Sequence, residues 1–245
     1  KRNFFSGDEV AMVYNSAVGD QILQQHTYGR KDADGNVTKL ALWYDLDDSI
    51  CCLVARSERM VRGAELLLGS GVGHLHSKLM QKEPQVGGAW EWHQDYGYWY
   101  NDGFLMPHMV SVMVALTKSN KENGCLQVLS GSHHIGRINH GVVGGQKGAD
   151  MTRVDVAVER FDLKYVEMEP GDTLFFHSNL LHRSDMNKSE YPRWSLISVY
   201  NTISNKPFLN DYPSSYRAID VVPDASILSY TSGHISEKLQ FNKVH

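Results

Sequence analysis

Apolar residues in the first third of the chain recur at helical spacing, while from about His74 onward they fall into short alternating runs. Ser6 followed three residues later by Glu9 is a capping-box signature, and Val10, Val13 and Ala17 continue it on one helix face. Ser57 is placed to cap a second amphipathic helix carrying Met60, Val61, Ala64, Leu67 and Leu68. Between the two, Arg30 to Asn36 is polar and turn-rich and reads as a loop. The later texture predicts strands at Leu75 to Lys82, Met109 to Leu116, Gly124 to Leu129, Tyr165 to Glu169, Thr173 to His177 and Trp194 to Thr202. Asp150 is expected to cap a short helix bearing Val154, Ala157, Val158 and Phe161. Short strands after helices predict a mainly β sandwich or barrel with flanking α-helices packed outside.

At 245 residues the chain suits one domain: a helical part over about 1–73, a β core over about 74–202 and a C-terminal extension over 203–245. A formal net charge of −4, with no Lys/Arg-rich run, argues against a nucleic-acid partner. No apolar run is long enough to span a bilayer. Three cysteines, two of them adjacent, make neither a disulfide framework nor a thiolate metal site. Cys51 and Cys52 read as small apolar core residues of a helix. A reducing, cytoplasmic setting is expected, although a chain that begins at Lys1 leaves a removed leader open.

The candidate chemistry begins at Trp92-His93-Gln94-Asp95. Residues two apart on an extended segment point to one face, so His93 and Asp95 can grip one ion together. A third donor is expected from Thr173 to His182, which ends with His177 and His182. Two imidazoles and one carboxylate leave open octahedral positions, the donor set of non-haem Fe(II) oxygenases. His74-x-His76 is a rival pair without a carboxylate. Eleven residues beyond His182 stands Arg193, a cation suited to holding the distal carboxylate of an iron-chelated 2-oxoacid bidentately. Ser195 shares its face and can donate to the same group. An ion pair of Arg193 with Glu190 is the plainer alternative.

Four ordered motifs carry a resemblance: Trp92 to Asp95, Asn123 to His133, Pro170 to His177, and His182 with Arg193. Together they resemble the phytanoyl-CoA dioxygenase family of Fe(II)/2-oxoglutarate oxygenases, over about His74 to Asn201. The resemblance implies a double-stranded β-helix, the cupin-like jelly-roll, with the strands bearing His182 and Arg193 in opposite sheets. It implies that His93, Asp95 and His182 bind Fe(II), and that Arg193, helped by Ser195, anchors 2-oxoglutarate. Lys39, in a segment similar to one whose lysine reaches the co-substrate, is a second anchor candidate or a solvated lysine. With Asp95 present, hydroxylation by O₂ is implied, with release of succinate and CO₂.

His177 should face away from His182, and His133 lies in a turn, so neither is expected to bind metal. Tyr98, Trp99 and Tyr100 follow Gly97, where the chain can bend back over the metal, and are candidate contacts for a small organic substrate. No basic cluster suggests a cleft for coenzyme A phosphates. The alternative is a cupin-like metal enzyme or a non-catalytic binding module that does not use 2-oxoglutarate; Arg193 discriminates, because neither needs a distal-carboxylate anchor.

Overall fold

The computed structural model describes residues 1–143, 145–209, 219–231 and 233–242. The chain opens with α1 (Gly7–Gly19), which starts where expected: Glu9 N–H donates to Ser6 Oγ, and Ser6 N–H donates to Glu9 Oε2. After α2 (Gln21–Gln25) comes a hairpin of β1 (Tyr28–Lys31) and β2 (Val37–Trp43), two strands inside the segment expected to be helical. The polar stretch expected as a loop is largely this hairpin's turn. Asp32 Oδ1 accepts the Asp34 and Asn36 N–H groups, while Arg30 and Lys31 belong to β1. The strand signal of β2 was hidden because Leu40, Ala41 and Trp43 are all buried, leaving no two-residue alternation.

Next come α3 (Ile50–Arg56), which buries Cys51 and Cys52, and α4 (Glu58–Leu68). Ser57 precedes α4 but does not cap it by its side chain; its hydroxyl donates back to Val54 O. Met60, Val61 and Ala64 are buried as expected, whereas Leu67 is exposed. The β core then runs β3 (Val72–Lys82), β4 (Trp90–His93), the single helical turn α5 (Asp95–Trp99), β5 (Met109–Ala115) and β6 (Leu126–Leu129). A small hairpin follows, β7 (His140–Val143) and β8 (Gln146–Ala149), then α6 (Met151–Arg160), capped by Asp150, whose carboxylate accepts the Thr152 N–H. The last strands are β9 (Leu163–Val166), β10 (Thr173–His177), β11 (His182–Ser184) and β12 (Arg193–Thr202).

Two sheets face each other, one ordered β1-β2-β3-β12-β5-β10 and the other β4-β11-β6-β9, which makes the core a jelly-roll. Strand alternation gives the large sheet two buried faces. Its outer face (Leu79, Val112, Val114, Leu196) packs on the helices. Its inner face (Leu40, Met80, Met113, Ile197, Phe176) meets Leu126 and Val128 of the small sheet. The C-terminal extension joins the helical side, where Ile227 and Ile235 are buried and Phe241 bridges to Trp43. Among the described residues no helix is long and apolar enough to cross a membrane.

Candidate active site

At one end of the two sheets, β4 finishes at His93, Gln94 stays extended (φ −110°, ψ 131°) and Asp95 opens α5. His182 begins β11 directly opposite His93, with ring centroids 4.0 Å apart. Asp95 Oδ1 lies 3.7 Å from His93 Nε2 and 3.9 Å from His182 Nε2, and all three side chains are buried. Among the described residues this is the one cluster of metal-donor side chains close enough to share an ion.

Hydrogen bonds fix which atoms are free to bind. His93 Nδ1 is 2.7 Å from Glu91 O, and His182 Nδ1 is 2.8 Å from Leu180 O. A carbonyl can only accept, so each Nδ1 carries the proton and each Nε2 presents its lone pair to the cluster. The Ser111 hydroxyl donates to Asp95 Oδ2 at 2.6 Å, leaving Oδ1 for the same centre. Burial holds both imidazoles below their usual pKa, so they stay neutral. Burial alone would raise the Asp95 pKa, but the Lys78 cation and the Ser111 hydrogen bond pull it the other way and keep the carboxylate ionised. Two lone pairs and a carboxylate oxygen converging in a dry site repel one another unless a cation lies between them, so the donor set fits a divalent metal.

From this cluster an inner chamber leads between the sheets to Arg193, walled by Met80, Met113, Phe176 and Ile197. His182 in the small sheet and Arg193 in the large one therefore face the same space, as expected. Arg193 is buried, and its Nη1 donates to Gly124 O at 2.8 Å. Its Nε has no partner, and neither does the buried Ser195 hydroxyl on the same face of β12. Burial pulls the Arg193 pKa down to about 10, which leaves it cationic at neutral pH. A buried guanidinium with one carbonyl partner and no ion pair among the described residues calls for an anion. The carbonyl that aims Arg193 depends on a glycine. Gly124 has φ +73°, and a Cβ there would lie 2.1 Å from Asp185 O.

A larger outer cavity of about 430 Å³ opens beside the cluster and reaches Asp95, His76 and Lys78. Tyr98 and Trp99 line it, and the Tyr98 ring stacks on His93 at 5.4 Å. Tyr100 does not. It is 41% exposed and lies under the Arg137 guanidinium, because α5 is a helical turn and its next residue rotates off the face shared by Asp95, Tyr98 and Trp99. Lys39 is likewise away from the cavity. Leu40 and Leu42 take the inner face of β2, so Lys39 points outward, half exposed and 4.0 Å from Glu83. The cation facing both chambers is Lys78, two residues past His76 on the inner face of β3. The sequence did not single out Arg30, Lys78 and Gln146, which line the outer cavity, or Ser111, which bonds Asp95, since strand alternation names a face but not which space that face borders. His177 and His133 contact each other at 5.8 Å, away from the cluster; His74 bonds to Tyr44 and Ser77.

The sequence profile of the phytanoyl-CoA dioxygenase family matches residues 19–195. The chain belongs to this family. An L-proline trans-4-hydroxylase of Streptomyces griseoviridis is 29% identical over 176 residues, covering 65% of this chain and 66% of that protein. An ectoine dioxygenase of Nocardia farcinica is 28% identical over 234 residues, 86% of this chain and 77% of the relative. The fold is similar to that of EctD from S. alaskensis with bound Fe, at TM-score 0.71 and 23% identity, covering 89% of this chain and 80% of the other. It is also similar to the epimerase SnoN in complex with Fe3+, alpha ketoglutarate and nogalamycin RO, at TM-score 0.69 and 19% identity, covering 98% and 91%. This phytanoyl-CoA dioxygenase family member is thus a non-haem Fe(II)- and 2-oxoglutarate-dependent hydroxylase of a small organic substrate. A binding module or cupin-like enzyme without 2-oxoglutarate is not favoured.

Proposed function

We propose that His93, Asp95 and His182 hold the iron, that Arg193 with Ser195 takes the distal carboxylate of 2-oxoglutarate, and that the outer cavity receives a compact carboxylic acid, a cyclic amino acid such as L-proline. The observation that carries the reading is the buried Arg193, without an anionic partner among the described residues, in one chamber with His93 and His182, which meet Asp95 at its end. When bound, iron would couple decarboxylation of 2-oxoglutarate to succinate and CO₂ with insertion of oxygen from O₂ into a substrate C–H bond.

The chain's own part is to bind, orient and exclude water. The carbonyls of Glu91 and Leu180 keep both imidazoles in one tautomer, and Ser111 fixes the rotation of Asp95. Lys78, at the junction of the chambers, offsets the negative charge that the co-substrate brings. Leu40, Leu42 and Trp99 give the substrate an apolar wall. A cavity of about 430 Å³ suits a small body of this kind, and two relatives are named for L-proline and ectoine.

Anaerobic titration of the apo protein with Fe(II) and then 2-oxoglutarate should produce a metal-to-ligand charge-transfer band. On admission of O₂, L-proline or ectoine should accelerate succinate release above the uncoupled rate. Absence of the band would overturn the cofactor assignment; acceleration only by substrates without a carboxylate would overturn the substrate class.

A further inference from the structure

We propose that Arg30, on the edge strand β1, grips the substrate's carboxylate and so sets which small molecules this enzyme accepts. The inference rests on the carboxylic-acid reading above and adds the residue that enforces it. In the β1–β2 ladder Tyr28 pairs with Leu40 and Arg30 with Thr38. Directly paired residues share a face, so Tyr28 and Arg30 stand on the side of Leu40 and Leu42, facing the outer cavity, while Gly29 and Lys31 face away.

The Arg30 guanidinium lies 5.3 Å from the centroid of the Tyr28 ring and is half-buried. Stacking occupies its flat face and leaves its N–H edge available. Among the described residues that edge has no hydrogen bond or ion pair, although the chain carries 28 acidic residues to 24 basic ones. A plain surface arginine in an acidic protein would be expected to find a carboxylate.

Charge in the cavity points the same way. Its lining holds Arg30, Lys78 and Lys147, against a single carboxylate, Asp95, which belongs to the metal cluster. Lys78 also borders the inner chamber and is matched to the co-substrate. Lys147 is exposed at the rim, and its backbone carbonyl accepts a hydrogen bond from the Tyr98 hydroxyl at 2.8 Å. Arg30 remains as the partly desolvated fork, the geometry that suits a carboxylate best.

Its backbone is also held in place before any substrate arrives. The Gly145 N–H donates to Lys31 O, tying β1 to the β7–β8 hairpin, and the Ala89 N–H donates to Asp32 Oδ2, tying the β1–β2 turn to the segment before β4. An acid held at Arg30 spans the apolar wall of Leu40 and Leu42 and presents its far carbon toward the Asp95 end of the cavity.

The test uses the Fe(II) holoenzyme with 2-oxoglutarate, and L-proline, ectoine, L-prolinamide and cyclopentanecarboxylate as probes. Binding is read from quenching of tryptophan fluorescence (Trp90 and Trp99 line the cavity) and turnover from stimulated succinate release. Losing a charge-assisted hydrogen bond costs about 1.5–3 kcal/mol, so Arg30→Gln should raise the dissociation constant and KM of the accepted acid about ten- to hundredfold. Arg30→Lys should recover part of that loss. The wild type should prefer the acid to its amide, and Arg30→Gln should not. An acid that binds and stimulates the wild type and Arg30→Gln alike, or loses affinity in Lys147→Gln instead, overturns the anchor while leaving the substrate class standing. If none of the carboxylates binds the wild type, the substrate class falls and the anchor falls with it.

Discussion

Arg193 and Lys78 differ in what surrounds them, and that difference separates a buried cation that needs an anion from one that stays partly exposed. Lys78 is partly exposed at the outer cavity, whereas Arg193 is 4% exposed and has one carbonyl partner, with its Nε left without one. An unpaired buried charge costs several kcal/mol, a strain on the apo enzyme that a co-substrate held at Arg193, as proposed, would relieve. Arg193→Met should therefore leave the apo melting temperature unchanged or raise it, while abolishing the upward shift that 2-oxoglutarate produces in the wild type. Losing a two-pronged contact should raise the KM for 2-oxoglutarate by about two orders of magnitude or more, with Fe(II) affinity spared. A destabilised apo Arg193→Met with normal 2-oxoglutarate dependence would show that Arg193 is a structural residue. At this scale His93, Asp95, His182 and Arg193 were legible because their chemistry is rare and their order is fixed. Ser111 was not, because one serine on a buried strand carries no signal until its hydroxyl is found on Asp95.

The single turn α5 decides where the aromatic side chains go. Its Gly97 packs against His140 so closely that a Cβ would lie 2.0 Å from the ring's Cε1. His140 accepts the Gln94 N–H through Nε2 and donates from Nδ1 to Ile138 O, so the ring braces the residue between His93 and Asp95. Gln94 is also tied to Asn179 O and to the Ile138 N–H. Gly97→Ala must push this ring aside, and overpacking of this kind costs about 1–3 kcal/mol. It should weaken Fe(II) binding at least tenfold while far-ultraviolet circular dichroism stays native. Gly19→Ala, where nothing lies within 4 Å of the added carbon, is the matched control. Iron affinity unchanged in Gly97→Ala would show that this brace is not needed. Trp99 lines the cavity, as expected, yet is also buried among Leu75, Phe104, Met109 and Val199, so it is both wall and core.

At the scale of the whole molecule, histidines buried in neutral form, His74 and His76 among them, tie stability to pH. His74 is the clearest, because its Nδ1 donates to Tyr44 O and its Nε2 accepts from Ser77, leaving no site for a second proton. Burial pulls its pKa down from 6.5 to about 4, and His177 is lowered by burial as well. The unfolded chain takes up a proton near pH 6.5 and the folded chain only near 4, so stability is full above 6.5 and falls as pH drops through that window. For His74 alone the loss is about 3 kcal/mol by pH 4. Urea denaturation of the metal-free protein at pH 7.5, 6, 5 and 4 should show this decline before the carboxylates Glu9 and Asp172, both lowered, begin to titrate. Stability that is level or rising between pH 6.5 and 4.5 would contradict neutral burial.

The sequence by itself determined what depends on local chemistry and order along the chain. That includes the capped helices α1 and α6, most of the strands after His74, the extended spacing that aims His93 and Asp95 at one centre, and a guanidinium suited to a 2-oxoacid. Tertiary structure decided everything that depends on which face meets which. Both faces of β2 are buried, so its two-residue period vanished and two strands passed for part of a helical segment. Lys39 points away from the cavity and Lys78 into it, because the faces of β2 and β3 are assigned only when the sheets pack. Tyr100 turned outward because α5 advances by a helical step, where an open bend past Gly97 was expected to bring it over the metal site with Tyr98 and Trp99. The outer cavity exists only where β1, β3, α5 and the β7–β8 hairpin converge from distant parts of the chain, and no sequence window contains them together.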